Sequence, residues 1–244
     1  MPDLFYCPNL SASPVTLDGS EAHHAIHVLR LKPEAAIDLF DGQGRSVSGT
    51  VAAVNRRDVV VEFSQAVQHS ERPHGLRVAA AIPKGDRLKW MVEKLAEMGV
   101  CEYIPLLTER GVVKPGDNKL EKLTATVVAA CKQSRNSWLM SIARPIPLTE
   151  LLADIPGPLV IAHPPALMDA GLASDRTVTR QEGVPATSDD LQTLLVGPEG
   201  GFTTAEVETA IQSGARPIGW PDSILRIETA AVVFAAQLMQ EARP

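Results

Sequence analysis

The chain has 244 residues, 45% hydrophobic and 21% charged; this excludes disordered, collagenous and fibrous classes and leaves material for one large domain or two small ones. No stretch reaches the roughly 20 apolar residues that span a bilayer, and Met1-Pro2-Asp3-Leu4-Phe5 has no basic segment leading into an apolar one, so a cytoplasmic protein with no membrane partner is expected. The net charge of -6 is uneven: residues 1–144 carry 18 basic against 16 acidic side chains, residues 145–244 carry 5 against 13, and residues 72–144 alone hold 13 against 7, enough positive charge to face a polyanion.

Along the chain, the first periodic segment is a helix from Glu21 to about Leu31, stopped by Lys32-Pro33 because proline disfavours a helical residue before it. His23 and His27 lie four apart on it, but no third ligand has suitable spacing, so no metal is expected. Three β-branched runs follow, Ala36 to Phe40, Ser46 to Val54 and Val59 to Phe63, separated by the turn sequences Asp41-Gly42-Gln43-Gly44 and Asn55-Arg56-Arg57-Asp58. They predict a small β-barrel or sheet. The polar, proline- and glycine-containing stretch Gln68 to Gly75 reads as a linker, dividing the chain into domains 1–70 and 74–244.

Beyond the linker the period changes. An apolar run from Leu76 to Ile82 leads into Leu88, Met91, Val92, Leu95 and Met98, a helical spacing that Gly99 terminates. Strands at Tyr103 to Leu107, Leu159 to Ala162 and Leu191 to Val196, with a helix at Asn118 to Lys132, predict a parallel α/β sheet; residues 165–190 are polar and read as a surface loop. Cys7, Cys101 and Cys131 form no C-x-x-C pair and read as small buried hydrophobes rather than disulfide or zinc ligands.

Two segments carry chemistry. In Leu194-Leu-Val-Gly-Pro-Glu-Gly-Gly-Phe-Thr-Thr-Ala-Glu206 a strand ends at Val196, glycines follow, and Thr203 opens a helix. Glu206 completes a capping box, with Phe202 and Val207 as a hydrophobic staple. Backbone N–H groups at such a turn suit a hydrogen-bonding ligand, while a tight turn needing positive φ accounts for the same glycines. In Gly219-Trp-Pro-Asp-Ser-Ile-Leu-Arg-Ile-Glu-Thr-Ala230 the chain enters a helix that is apolar nearly all round and so must be buried. Arg226 and Glu228 stand at its entrance, as an exposed ion pair or as ligand contacts.

These segments resemble the RsmE family of 16S rRNA uridine N3-methyltransferases, within the SPOUT superfamily. Matching stretches are Ala81-Ile-Pro-Lys-Gly-Asp-Arg-Leu88, Glu93-Lys-Leu-Ala-Glu-Met-Gly-Val100, His23-His24-Ala-Ile-His-Val-Leu-Arg-Leu-Lys32, Asp41-Gly-Gln-Gly44, Arg110-Gly-Val-Val-Lys114 and Gln133-Ser134. The resemblance implies an N-terminal PUA-like β-barrel for RNA, a C-terminal α/β domain with a deep trefoil knot, S-adenosyl-L-methionine as cofactor, 16S rRNA of the small ribosomal subunit as partner, and a homodimer. Carried over by position, it places the cofactor at His163, Pro164, Val196, Gly197, Glu199, Gly200, Gly201, Trp220, Ile224, Leu225, Thr229 and Ala230. His23, Arg30, Lys32, Lys84, Arg110, Lys114 and Arg135 would meet RNA. Arg226 would be the catalytic cation that stabilises negative charge on the uracil carbonyls, with Glu199, Glu228 or water as proton acceptor. The family usually has glycine and a second arginine where this chain has Pro221 and Ser223, threonine at Ile227 and arginine at Asn136. The missing arginine is the argument for a rival reading, a non-catalytic RNA-binding assembly factor that keeps the knot fold.

Overall fold

Short β-branched runs pair early in the chain because alternate residues need a common apolar face. The computed structural model describes residues 1–64, 66–71, 75–112, 117–163, 191–221 and 223–241. One sheet contains β1 (Asp3–Tyr6), β2 (Val15–Leu17), β3 (Ala36–Phe40), β4 (Arg45–Val54) and β5 (Val59–Glu62) in the order β1-β3-β4-β5-β2, with β6 (Gln68–His69) added to β4. Every pairing is antiparallel except β1 with β3. Ile37, Leu39, Val47, Val51, Val59 and Val61 turn inward to one core with Phe5 and Leu17.

The three expected strands are present, but Gln68-His69 extends the sheet instead of belonging to a linker. The expected helix is also shorter. It runs as α1 (Gly19–His23) into a π-helical turn over His24–Val28 and ends near Arg30, whose φ of 54° leaves the helical region before Lys32-Pro33 is reached.

The β3–β4 turn is built by Asp41, 2% exposed, whose carboxylate accepts from Gln43 N at 2.7 Å and Arg45 N at 3.0 Å. Gly44 (φ 87°) then leaves room for Trp138: an added Cβ would lie 2.5 Å from the indole. Gly44 N donates to the Ser137 carbonyl, and Leu139 N to the Gly42 carbonyl, both at 3.0 Å. Accordingly Val128–Leu139 clusters with Met1–Arg72 as one compact unit, while Pro73–Val127 and Met140–Pro244 form the other. The division is therefore not a single cut near residue 72, as linker composition alone suggested.

The segment comes from the end of α3 (Asp117–Ser134). Lys132 Nζ bonds both Glu21 oxygens at 2.8 and 3.1 Å and lies 4.8 Å from the Phe5 ring centroid. Arg135 ends the helix at φ 57° and donates to Asp38 at 3.0 Å and to the Pro2 carbonyl.

In the second unit β7 (Leu76–Ala81), β8 (Glu102–Leu107), β9 (Ser141–Ile142), β10 (Ile146–Pro147), β11 (Leu159–Ala162), β12 (Gln192–Val196) and β13 (Arg216–Ile218) form a wholly parallel sheet, ordered β10-β8-β7-β12-β11-β13 with β9 beside β8. This is the expected α/β architecture. Its strands are apolar in runs, not alternation, because helices cover both faces. α2 (Arg87–Met98) ends at Gly99 with φ 88°, the predicted stop. α4 (Leu148–Asp154) and α5 (Thr204–Gln212) bury Leu148, Leu151, Val207 and Ala210 against Ile104, Ile161 and Leu195. α6 (Ile227–Glu241) packs on α2, β7 and β12 and buries Ala231, Phe234, Ala235 and Leu238, while Val232, Val233, Ala236 and Gln237 on its other side are only half-buried, less than its all-round apolar surface led one to expect. No described helix is long and apolar enough to cross a membrane. The stretch 165–190, read as a loop, lies outside the described residues.

One consequence of the strand order positions the site. Ala162, Val196 and Ile218 are partners in register, so three adjacent parallel strands end together and His163, Gly197 and Gly219 leave the sheet side by side. Carboxyl ends of parallel strands are where such sheets hold ligands.

Candidate functional site

A cleft of about 580 Å³, open solvent at its mouth included, lies over these three strand ends. Its floor is Ala162, His163, Val196 and Gly219, one wall is the glycine loop from Gly197 to Phe202, and the other is Trp220 with Ser223 to Leu225, backed by Ile227, Ala230 and Phe234 of α6.

The glycine loop answers the question its sequence left open. Gly197 is needed for packing, since a Cβ there would sit 3.0 Å from the Phe202 ring and 3.2 Å from its backbone nitrogen. Gly201 is needed for conformation: φ is 69°, and its N–H closes a turn on the Pro198 carbonyl at 2.8 Å. A Cβ on Gly201 would meet nothing within 4 Å, so this lining residue faces open space. Gly200 has neither constraint and does not line the cleft.

The capping box forms as predicted, with Glu206 N donating to Thr203 Oγ1 at 3.3 Å and Thr203 N to Glu206 Oε2 at 2.7 Å. Phe202 and Val207, the staple pair, are buried in one cluster. Two bonds tie the turn to the segment after β8: Glu109 N donates to Glu206 Oε1 at 2.8 Å, and Arg110 Nη1 to the Gly200 carbonyl at 2.9 Å.

His163 donates its backbone N–H to the Ile218 carbonyl at 2.8 Å, and its ring Nδ1 is buried with no hydrogen-bond partner among the described residues. Burial pushes the imidazole below the ordinary histidine value, favouring the neutral ring. The unfolded chain therefore takes up a proton near pH 6.5 that the folded chain refuses, and this contribution to stability falls as pH drops through that region. Urea unfolding midpoints of wild type and His163→Gln should converge between pH 7.5 and pH 5.5; a constant difference would remove this role from His163.

The helix entrance differs from expectation. Glu228 is 6% exposed and pairs not with Arg226 but with Arg87, Nη1 to Oε1 at 3.7 Å, while its Oε2 is buried without a hydrogen-bond partner among the described residues. Arg87 also approaches Glu199 Oε1 at 3.5 Å. Arg87 is a site residue that the sequence reading does not single out, although its segment also holds Lys84; the available signal is a cation in the first turn of the helix that follows β7. Arg226 is exposed, accepts Ala230 N on its carbonyl at 2.8 Å, and has no ion-pair partner among the described residues.

Of the other residues expected at the cofactor, Glu199, Trp220, Ile224, Leu225 and Ala230 line the cleft, Thr229 is half-buried beside it, and Pro164 lies outside the described residues. Trp220 and Ile224 stand at the rim, 43% and 79% exposed. Of those expected at RNA, His23, Arg30, Lys32 and Lys84 are exposed. Arg110 and Arg135 hold the internal partners given above, and Lys114 lies outside the described residues. His23 packs against His27 with the rings tilted by 48° and their centroids 4.8 Å apart, and no metal-holding group of three or more His, Cys, Asp or Glu occurs among the described residues.

Residues 70–239 match the family model of the RNA methyltransferase domain, and residues 17–64 that of the RNA methyltransferase PUA domain. A Synechocystis sp. protein named Ribosomal RNA small subunit methyltransferase E is 31% identical over 230 residues, covering 92% of this chain and 72% of its own. Its namesake from Bacillus subtilis is 27% identical over 228 residues, covering 90% and 87%. A solved Legionella pneumophila structure, described as a methyltransferase in complex with the bound cofactor SAM, superposes with a TM-score of 0.82 at 26% identity, covering 99% of this chain and 98% of that one.

Proposed function

We propose, on the premise that the chain belongs to the family of ribosomal RNA small subunit methyltransferases E, that it methylates N3 of a uridine in the decoding region of 16S rRNA, using S-adenosylmethionine. The observation that carries this reading is the cleft over β11, β12 and β13. Its Gly201 face is open, its His163 Nδ1 is buried with no partner among the described residues, and Ile224 and Leu225 offer apolar surface beside polar loop backbone. These features fit an amphipathic adenosyl and methionyl group, and a neutral His163 does not repel a cation.

When bound, S-adenosylmethionine supplies a sulfonium methyl group that is already electrophilic. The residues of the chain have two remaining tasks, to hold the uracil N3 in line and to stabilise charge that develops on its carbonyl oxygens. Arg226, exposed beside the lining residues Leu225 and Ile227, carries the second task. His163, Val196, Gly197, Glu199, Gly201, Trp220, Ile224, Leu225 and Ala230 carry the binding, with Pro164, Gly200 and Thr229 flanking them. The strand order β7-β12-β11-β13, followed by the return of α6 to β7 and β12, supports the deep trefoil knot that we assign to this domain.

The direct test incubates the protein with labelled S-adenosylmethionine and small ribosomal subunits, then digests the RNA to nucleosides. Label in N3-methyluridine is the expected result; RNA bound without transfer would establish the assembly-factor reading instead. We further assign a homodimer, so light scattering at micromolar concentration should give twice the 26.1 kDa chain mass; a single-chain mass would contradict it.

On the RNA side, Arg30, Lys32 and Lys84 are the exposed cations assigned to phosphates. Log affinity should fall linearly with log salt, and neutralising all three should flatten the slope by about 2, at roughly 0.7 per phosphate contact on single strands. An unchanged slope would remove them from the interface.

A further inference from the structure

Three segments that leave the sheet from different strands meet at one guanidinium. Arg87, in the first turn of α2 after β7, places Nη2 3.5 Å from Glu199 Oε1 in the glycine loop and Nη1 3.7 Å from Glu228 Oε1 at the start of α6. Its Nε donates to the Lys84 carbonyl at 3.2 Å, which fixes the plane of the group. The two carboxylates are not equivalent. The Glu228 side chain is 8% exposed, is absent from the cleft lining, and has one oxygen buried without a hydrogen-bond partner among the described residues; that of Glu199 is 40% exposed and lines the cleft.

A buried carboxylate holds its counter-charge strongly, because losing it leaves an uncompensated charge away from water. Glu228 therefore anchors Arg87. The rigid fork of the guanidinium then directs its other arm at Glu199 in a fixed plane, an orientation that the freely rotating ammonium of a lysine would not impose.

We infer, resting on the methyl-transfer reading above, that Glu199 accepts the uracil N3 proton and that Arg87, anchored by Glu228, is the positioning residue that keeps the Glu199 carboxylate facing the cleft. In this step the N3–H bond breaks and its proton passes to a Glu199 oxygen. The N3 electron pair forms the bond to the methyl carbon while the carbon–sulfur bond breaks, its pair remaining on sulfur as a neutral thioether. Glu199 then returns the proton to water. Glu228 is too enclosed to meet the base, which decides between the two carboxylates.

The test measures methyl transfer to small ribosomal subunits and, separately, S-adenosylmethionine binding by calorimetry. Glu199→Gln, assayed at saturating S-adenosylmethionine, should lower kcat about 100-fold or more, the range of a lost general base, with KM for the subunit within threefold of wild type. Exogenous formate should restore part of the activity of Glu199→Ala. Arg87→Lys, which keeps the charge beside Glu228 and so the fold, should lower kcat about tenfold at unchanged KM. A Glu199→Gln variant within threefold of wild-type kcat would overturn the assignment of the acceptor, and wild-type kcat in folded Arg87→Lys would overturn the positioning role. A wild-type protein that transfers no methyl group would instead overturn the underlying reading, and this inference with it.

Discussion

Gly201→Val is expected to weaken S-adenosylmethionine binding on the order of 100-fold, about 2.7 kcal/mol, in a protein that remains folded. Two physical effects combine at this residue. Its φ of 69° is one that a β-branched side chain adopts only under strain. Its Cβ position faces open space in the cleft wall, so the valine would occupy ligand volume without striking the protein. The stability cost should therefore be about 1–3 kcal/mol. Gly197→Ala should behave differently, because its Cβ meets Phe202 and must disturb the loop's own packing. Calorimetric titration beside a thermal melt separates the cases. Wild-type affinity in folded Gly201→Val would show that the glycine serves the turn alone and that the cofactor binds elsewhere.

Lys132→Ala is expected to cost about 3 kcal/mol of stability, typical of removing one partner from a largely buried ion pair. The side chains of Lys132 and Glu21 are each 14% exposed, and after the change Glu21 would keep only the Tyr6 N–H, at 3.0 Å, among its described partners. Combining Lys132→Met with Glu21→Gln should recover most of the loss, since both charges are then gone and an acceptor for Tyr6 N remains. Urea unfolding of the three proteins tests this. A loss below about 1 kcal/mol for Lys132→Ala would place the pair among weak surface bridges.

The legible parts of this molecule are those in which a local rule acts without competition. Thr203 and Glu206 stand three apart before an apolar run and form their capping box; Gly99 follows the last periodic residue of α2 and takes the left-handed stop. Period-2 runs gave β3, β4 and β5, and the all-round apolar α6 was recognisable as a buried helix. The missed strands β1, β2, β6, β9, β10 and β13 have two to four residues each, too short for periodicity to register.

Long-range partners leave weaker traces. Nothing local in Val128–Leu139 announces that Trp138 will pack on Gly44, or Lys132 on Glu21, because each contact depends on residues about 90 to 110 positions away. The candidate site divides in the same way. Its glycines and strand end were visible as a motif, whereas the pairing of Arg87 with Glu199 and Glu228 follows from a strand order that places β12 beside β7.

The most direct test of the central claim is mass spectrometry of 16S rRNA from a strain lacking this gene, compared with the same strain carrying the gene on a plasmid. It reads modification, base and position together. The account predicts that one uridine in the decoding region loses a single methyl mass at N3 in the deletion strain and regains it on complementation. Identical methylation of 16S rRNA in both strains would contradict it.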